Sequence, residues 1–296
     1  MNVECKNKKI QIQNAPYQFI KMIGEGTHAK IWLARCCLYP YNEIIVKIAH
    51  TVQGVAQERI INEIHYLHEF KSPNIPPILD EGTWNGYSWF AMPIYKPLTL
   101  FYQENKQVYK IYPSDINIED YPSHATKVLL RIREQVTFNI LYDILPVLVL
   151  LADSGIVHAD ISPGNIMESS ENNLEKKYIL TDFGASFSLS NPPVSSFGSL
   201  HFTAPERLLD RPHITSDLFS LGVLCFYILT GFVPFTGKDT DSYYMNVLER
   251  DEISPVAYVP EIQFALQKII QDMIRFKPEN RPSPSDLLKR IQKLKS

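Results

Sequence analysis

The hydrophobic residues of this chain change their period partway along, and that change limits the folds open to it. From residue 17 to about 95, short apolar segments of strand length alternate with turn signals, at 19–23, 31–36, 44–49, 78–80 and 87–92. One stretch among them, 57–70, instead carries Ile60, Ile61, Ile64 and Leu67 at helical spacing. From about Arg133 onward the pattern is mainly helical. The expectation is an α+β chain: a small β-rich lobe with one main helix, then a larger, mainly helical lobe. A length of 296 residues is enough to bury a core in either one large domain or two ordinary ones.

Within the helical part, His158-Ala159-Asp160-Ile161-Ser162-Pro163-Gly164-Asn165 follows a short extended segment, Gly155-Ile156-Val157. Pro163 and Gly164 turn the backbone, so Asp160 and Asn165 are displayed on one tight loop. A carboxylate and an amide held together can orient a hydroxyl nucleophile and bind a hard cation through oxygen. Asp182, closing the apolar Tyr178-Ile179-Leu180-Thr181 and followed by Phe183-Gly184, offers a second oxygen ligand. This combination resembles a protein-kinase catalytic loop followed by the metal-binding Asp-Phe-Gly.

Other segments extend the resemblance over about 17–292. Ile23-Gly24-Glu25-Gly26-Thr27-His28-Ala29-Lys30-Ile31 lies between two strand-like segments, as a nucleotide-covering glycine loop does, with Ala29 where the family has a third glycine. Lys47, in an apolar strand, needs an anionic partner, and Glu63 on the following helix corresponds to the family's. Ile45 stands two residues before Lys47, where the family places a small alanine; with Ile31 and Met167 it should make the adenine slot narrow and apolar. Met92, Pro93 and Tyr95 resemble the connector between lobes, with the carbonyl of Pro93 and the N–H of Tyr95 facing the adenine edge. Phe197 to Glu206, ending in Ala-Pro-Glu, resembles the end of an activation segment, and Asp217 the acid that holds the catalytic loop by hydrogen bonds. Arg281 could pair with Glu206.

The resemblance implies a two-lobed fold with an N-terminal extension over 1–16, an N-lobe over 17–94 and a C-lobe over 95–296. The polar, Tyr-rich 102–132 reads as a partly helical insertion, and 133–153 as the helix leading to the catalytic loop, kinked or started by Pro146. It implies a serine/threonine kinase that uses ATP and magnesium, or manganese in its place, on a protein substrate. Asp160 would accept the hydroxyl proton; Lys47, held by Glu63, would orient the α- and β-phosphates; Asn165 and Asp182 would hold the metal. Ile23, Gly24, Gly26, Ile31, Ile45, Met92, Pro93, Tyr95 and Met167 would surround the nucleotide. Ser199 would touch Asp160.

Two departures keep alternatives open. Ser162 stands where such kinases carry a lysine beside the γ-phosphate, and Ala159 where many carry an arginine that captures an activating phosphate. Between residue 178 and Glu206 there is no lysine or arginine, although Ser186, Ser188, Ser190, Ser195, Ser196 and Ser199 lie there. The alternatives are a pseudokinase acting as scaffold or switch and a small-molecule phosphotransferase of similar fold.

Composition narrows the partners. A net charge of -3 gives no reason to expect nucleic acid or an anionic membrane. Cys5, Cys36, Cys37 and Cys225 include no Cys-x-x-Cys pair, which suits reduced thiols in a cytoplasmic, intracellular protein. Lys6, Lys8 and Lys9 have no apolar stretch behind them, so no secretory signal is expected; the apolar runs at 144–152 and 221–229 are short for a bilayer span. A regulatory partner is left open.

Overall fold

The computed structural model describes residues 17–36, 42–98, 100–104, 107–111, 126–169, 177–193 and 199–295. The expected extension over 1–16 lies outside them. The chain forms two compact units. One runs to Lys71 and resumes over Pro76–Tyr95; the other takes Ser72–Ile75 and everything from Lys96 on.

The first unit is a five-stranded antiparallel sheet of β1 (Tyr17–Glu25), β2 (Ala29–Cys36), β3 (Glu43–Ala49), β4 (Asp80–Trp84) and β5 (Tyr87–Met92), in the order β1-β2-β3-β5-β4. Its helix α1 (Val55–Glu69) buries Ala56, Ile60, Glu63, Tyr66 and Leu67. One face of the sheet builds an aromatic core from Tyr17, Phe19, Trp32, Ile44, Val46, Ile48 and Trp89. Phe19 meets Trp32, and Tyr17 meets Trp89, edge to face. The fourth strand lies later than the expected 78–80. As an edge strand it pairs on one side only, so polar Asp80 and Glu81 are tolerated in it, and the apolar Ile78 and Leu79 precede it.

The second unit begins with β6 (Tyr95–Pro97), at the boundary, and a hairpin of β7 (Leu100–Glu104) and β8 (Gln107–Ile111). Part of the expected 102–132 insertion lies outside the described residues; where described, it begins as antiparallel strands and ends as helix. That helix, α2 (Thr126–Asp153), starts before Arg133 and runs through Pro146. Pro146 is exposed, so the carbonyl its missing N–H leaves behind can face water. Beyond it come β9 (Ile156–Val157), β10 (Ile166–Ser169), β11 (Tyr178–Leu180) and β12 (Phe187–Ser188), then α3 (Ser216–Thr230), α4 (Thr240–Glu249), α5 (Phe264–Met273) and α6 (Pro284–Lys295).

Almost every residue of α3 is buried, as expected of a helix apolar all round. Gly222 is required there: a Cβ would stand 2.7 Å from Ile274 Cγ2 and 2.8 Å from Met273 Cβ. Leu130–Asp153 of α2 is long and apolar enough to cross a membrane, more so than the short runs at 144–152 and 221–229 suggest. Ile140, Leu141, Ile144, Leu145 and Val147 are wholly buried in this unit, and a core helix passes the same test of length and composition.

Candidate active site

In the first unit, strand register sorts the candidate residues. Ile31 lies opposite Lys47, Lys47 opposite Phe90, and Ile45 opposite Met92. Opposed residues on neighbouring strands share a face, so these five side chains lie together, on the side away from the aromatic core. Ile45, Lys47 and Phe90 are buried, whereas Ile31 and Met92 are half-buried. Lys47 Nζ donates to Glu63 Oε2 at 2.7 Å, and Glu63 is only 2% exposed. Such a pair is tightly held because either charge alone would be stranded in a poorly solvated place.

The glycine loop is held from β3. Gly26 N–H donates to the Ala29 carbonyl at 2.9 Å, so this amide is used within the turn. His50 follows that strand; its N–H donates to the His28 carbonyl at 3.0 Å and its Nε2 lies 2.7 Å from the Gly26 carbonyl. A Cβ on Gly24 would meet only Ile31, at 3.6 Å, and one on Gly26 only the Ala29 carbonyl, at 3.8 Å. The fold therefore has room for side chains at both positions; packing does not demand glycine there. Ile23 is exposed, Pro93 is buried, and Tyr95 and Met167 are half-buried, the latter on β10.

In the second unit, side chains hold the backbone of the Asp160 loop, where no strand ladder is available. The Asp217 carboxylate accepts from His158 N–H at 2.7 Å and from Ala159 N–H at 3.0 Å. Ser186 Oγ donates to the His158 carbonyl at 3.2 Å, and Arg207 donates to the Ala159 carbonyl. Asp160 N–H donates to His158 Nδ1 at 3.3 Å, and the Asp160 carbonyl accepts from Asn165 Nδ2 at 2.7 Å. All six amide and carbonyl groups of His158, Ala159 and Asp160 are thus engaged by side chains. These bonds keep Ala159 at φ 71°, a left-handed conformation that costs an alanine roughly 1–2 kcal/mol.

Asn165 Nδ2 also donates to Asp160 Oδ2 at 2.9 Å. Its amide is thereby turned so that Oδ1, the hard oxygen, points away from Asp160. The Asn165 carbonyl accepts from both the N–H and the hydroxyl of Thr181, at 3.0 and 3.1 Å, which ties the loop to the residue before Asp182. Asp182 takes a left-handed conformation, φ 66°, and turns the chain into Phe183, which is fully buried and meets the His158 ring edge to face. His158 Nε2 lies 3.2 Å from the Thr181 carbonyl. With Nδ1 accepting, Nε2 carries the proton, and burial holds the ring's pKa below its ordinary value despite Asp217, Asp160 and Asp182 nearby. It is a neutral, structural histidine.

The segment ending at Ala204-Pro205-Glu206 is anchored from α3, from α4 and from Arg281 in the extended segment before α6. Glu206 accepts two hydrogen bonds from Arg281, at 2.6 and 2.8 Å, and one from Ser216 Oγ at 2.6 Å. The guanidinium of Arg281 lies 4.9 Å from the Phe219 ring centre. The Tyr243 hydroxyl, on α4, reaches the carbonyls of Thr203 and His201 at 3.1 and 3.2 Å. Ser199 engages Phe202 N–H and Thr203 Oγ1 through its carbonyl; among the described residues no hydrogen bond joins it to Asp160, contrary to expectation.

Sequence reasoning passed over Phe90, His50, Arg207 and Tyr243. Phe90 alternates with Met92 on the same strand and could have been found from period alone. Arg207 directly follows the Ala-Pro-Glu, but its target lies 48 residues upstream, and no local pattern signals that.

The protein kinase domain family matches residues 17–291. A probable serine/threonine-protein kinase PknB of Lactococcus lactis is 23% identical over 262 residues, covering 86% of this chain and 38% of that protein. Serine/threonine-protein kinase PrkC of Bacillus subtilis is 26% identical over 262 residues, covering 86% of this chain and 36% of that protein. A putative serine/threonine-protein kinase R436 of Acanthamoeba polyphaga mimivirus is 26% identical over 292 residues, and the match covers 95% of each chain. The chain spans under half the length of the two bacterial relatives.

Proposed function

The chain belongs to the protein kinase family, and on that premise we propose that it transfers the γ-phosphoryl group of ATP to a serine or threonine hydroxyl of a protein. The observation that carries this reading is the double hydrogen bond from Asn165 Nδ2 to the carbonyl and carboxylate of Asp160. It orients two functional groups at once: a carboxylate for the incoming hydroxyl and an amide oxygen for a cation.

Asp160 orients the hydroxyl and accepts its proton as the new P–O bond forms and the bond from the γ-phosphorus to the bridging oxygen breaks, releasing ADP. Lys47, fixed by Glu63, holds the α- and β-phosphates. Gly24 and Gly26 put no side chain at their two positions of the glycine loop, so its backbone can approach the phosphates there. Ile31, Ile45, Phe90 and Met92 form the apolar face for the adenine, and the Pro93 carbonyl and Tyr95 N–H serve its edge. Asn165 Oδ1 and the Asp182 carboxylate suit magnesium, a hard ion that takes few protein oxygens and keeps phosphate and water ligands. When bound, the ion neutralises charge developing on the transferred group. The setting we propose is the cytoplasm.

The test is incubation with Mg-ATP and an exogenous protein, read by intact mass. Phosphate should be added by the natural sequence and not by Lys47→Met or Asp182→Asn, both melting as the natural chain does. Transfer by either variant would refute the roles assigned to it. No transfer by the natural sequence would favour a scaffold, and transfer to a small alcohol alone would favour a small-molecule phosphotransferase.

A further inference from the structure

Position 159 is where an arginine would stand to order the activation segment through a captured phosphate, and here it is alanine. Ala159 packs with Val157 and Phe187 in a small apolar cluster, to which Ala185 and Leu189 contribute. That cluster has a cation on its border. Arg207, 5% exposed, sets its guanidinium 5.8 Å from the Phe187 ring centre and donates to the Ala159 carbonyl. We propose that Arg207 is the positioning residue of the Asp160 loop, supplying from beyond the activation segment a fixed cation in place of one that waits for a phosphate.

Three observations converge on this assignment. Arg207 engages the carbonyl of the residue immediately before Asp160, so its pull acts on the backbone that carries the carboxylate. Its ring partner, Phe187, lies on β12 opposite Val157 of β9, so one guanidinium ties that strand pair to the loop that follows β9. The backbone that carries Arg207 is itself anchored: the preceding residue is Glu206, gripped by Arg281 and Ser216, and Arg207 N–H donates to the Ala204 carbonyl at 3.0 Å. The loop is thereby held by a residue already buried and already engaged, and no modification is needed to bring it into place. An arginine contributes here as lysine would not, because its planar fork can donate in-plane while its face meets the aromatic ring.

This inference rests on the proposed phosphoryl transfer for its consequence, but not for its geometry, and the experiment separates the two. Arg207→Met keeps the long apolar stem and removes the donors; Arg207→Lys keeps the charge and removes the fork. Peptide-resolved hydrogen exchange of the full chain, without nucleotide, reads the loop directly. Exchange over 156–165 should rise at least tenfold in Arg207→Met, with that of 216–230 unchanged. Single-turnover transfer to an exogenous protein at saturating ATP should fall at least tenfold, with ATP affinity within twofold of the natural chain's. Arg207→Lys should fall between the two, and if Arg207→Met does not fold, the lysine variant is judged by the same two criteria. Unchanged exchange over 156–165, or an equal rise throughout the unit, overturns the proposal. So does an unchanged transfer rate in a variant whose loop has loosened. If the natural chain transfers no phosphate, the kinase reading fails, and the exchange pattern still decides whether Arg207 holds the loop.

Discussion

Arg281 grips Glu206 across 75 residues with two hydrogen bonds of 2.6 and 2.8 Å, in a site where the arginine side chain is wholly shielded from solvent. The same guanidinium donates to the carbonyls of Arg275, Phe276 and Thr215. Removing one partner of a buried ion pair leaves the other unpaired and costs about 3–5 kcal/mol. Glu206→Gln should lose that much unfolding free energy in denaturant titration of the full chain. Arg281→Met should lose more, because three carbonyls lose a donor along with the carboxylate. Equal losses would mean that those carbonyls contribute nothing.

Ser162 has its carbonyl on Asn165 N–H at 3.1 Å, a bond that does not involve the side chain. Ser162→Lys should therefore leave the turn intact and place a cation beside the transferring group. One electrostatic contact of this kind is worth on the order of a hundredfold in rate. Single-turnover transfer should accelerate accordingly; an unchanged or slower rate would show that another residue already supplies the charge.

The pH dependence of stability follows from His158. Burial lowers its pKa in the folded chain, whereas the unfolded chain titrates near the ordinary 6.5. Below that pH the unfolded state binds the extra proton, so His158 stabilises the fold fully above about pH 6.5 and progressively less as the pH falls. The slope from one such group is at most about 1.4 kcal/mol per pH unit. Denaturant midpoints between about pH 5 and 7.5 should fall more steeply for the natural chain than for His158→Asn. Parallel curves would show that the ring does not stay neutral.

Activation should not require phosphate on the activation segment. Ser186 is buried and donates to the His158 carbonyl, so it belongs to the loop's support and not among the modifiable serines. Ser190 is exposed, and Ser188 shares a hydrogen bond with it at 2.8 Å; Ser195 and Ser196 lie outside the described residues. Replacing Ser188, Ser190, Ser195 and Ser196 together by alanine should leave transfer to an exogenous protein within a few-fold. A loss beyond about tenfold, roughly 1.4 kcal/mol in the barrier, would establish a phosphate-dependent switch.

How far the sequence could be read depended on the range of the interaction. Alternation within β3 and β5 follows from period two, so the sheet and the company kept by Lys47 were legible there. The edge strand β4 was displaced in that reading because Asp80, Glu81 and Gly82 lack the apolar alternation a doubly paired strand needs. The β7–β8 hairpin escapes the sequence because all of it but Leu100 and Phe101 falls in the polar, Tyr-rich 102–132, which reads as one insertion. Family motifs pointed to Asp217 and Arg281. Arg207 and Tyr243 fall outside those motifs, and their partners are set by tertiary packing alone.

Asn74 brackets β11 from an unexpected part of the chain. Its carbonyl accepts from Leu180 N–H at 2.9 Å, and its side-chain amide donates to the Tyr178 carbonyl at 2.8 Å, across a separation of 104 residues. During synthesis Asn74 emerges long before the strand it completes, so this edge closes late and at the entropic cost of a long loop. A fragment beginning at Lys96 would leave the Leu180 amide and the Tyr178 carbonyl without these partners. No single cut yields the helical unit whole: its boundary in space is crossed more than once by the chain, and the segment Ser72–Ile75 must travel with it.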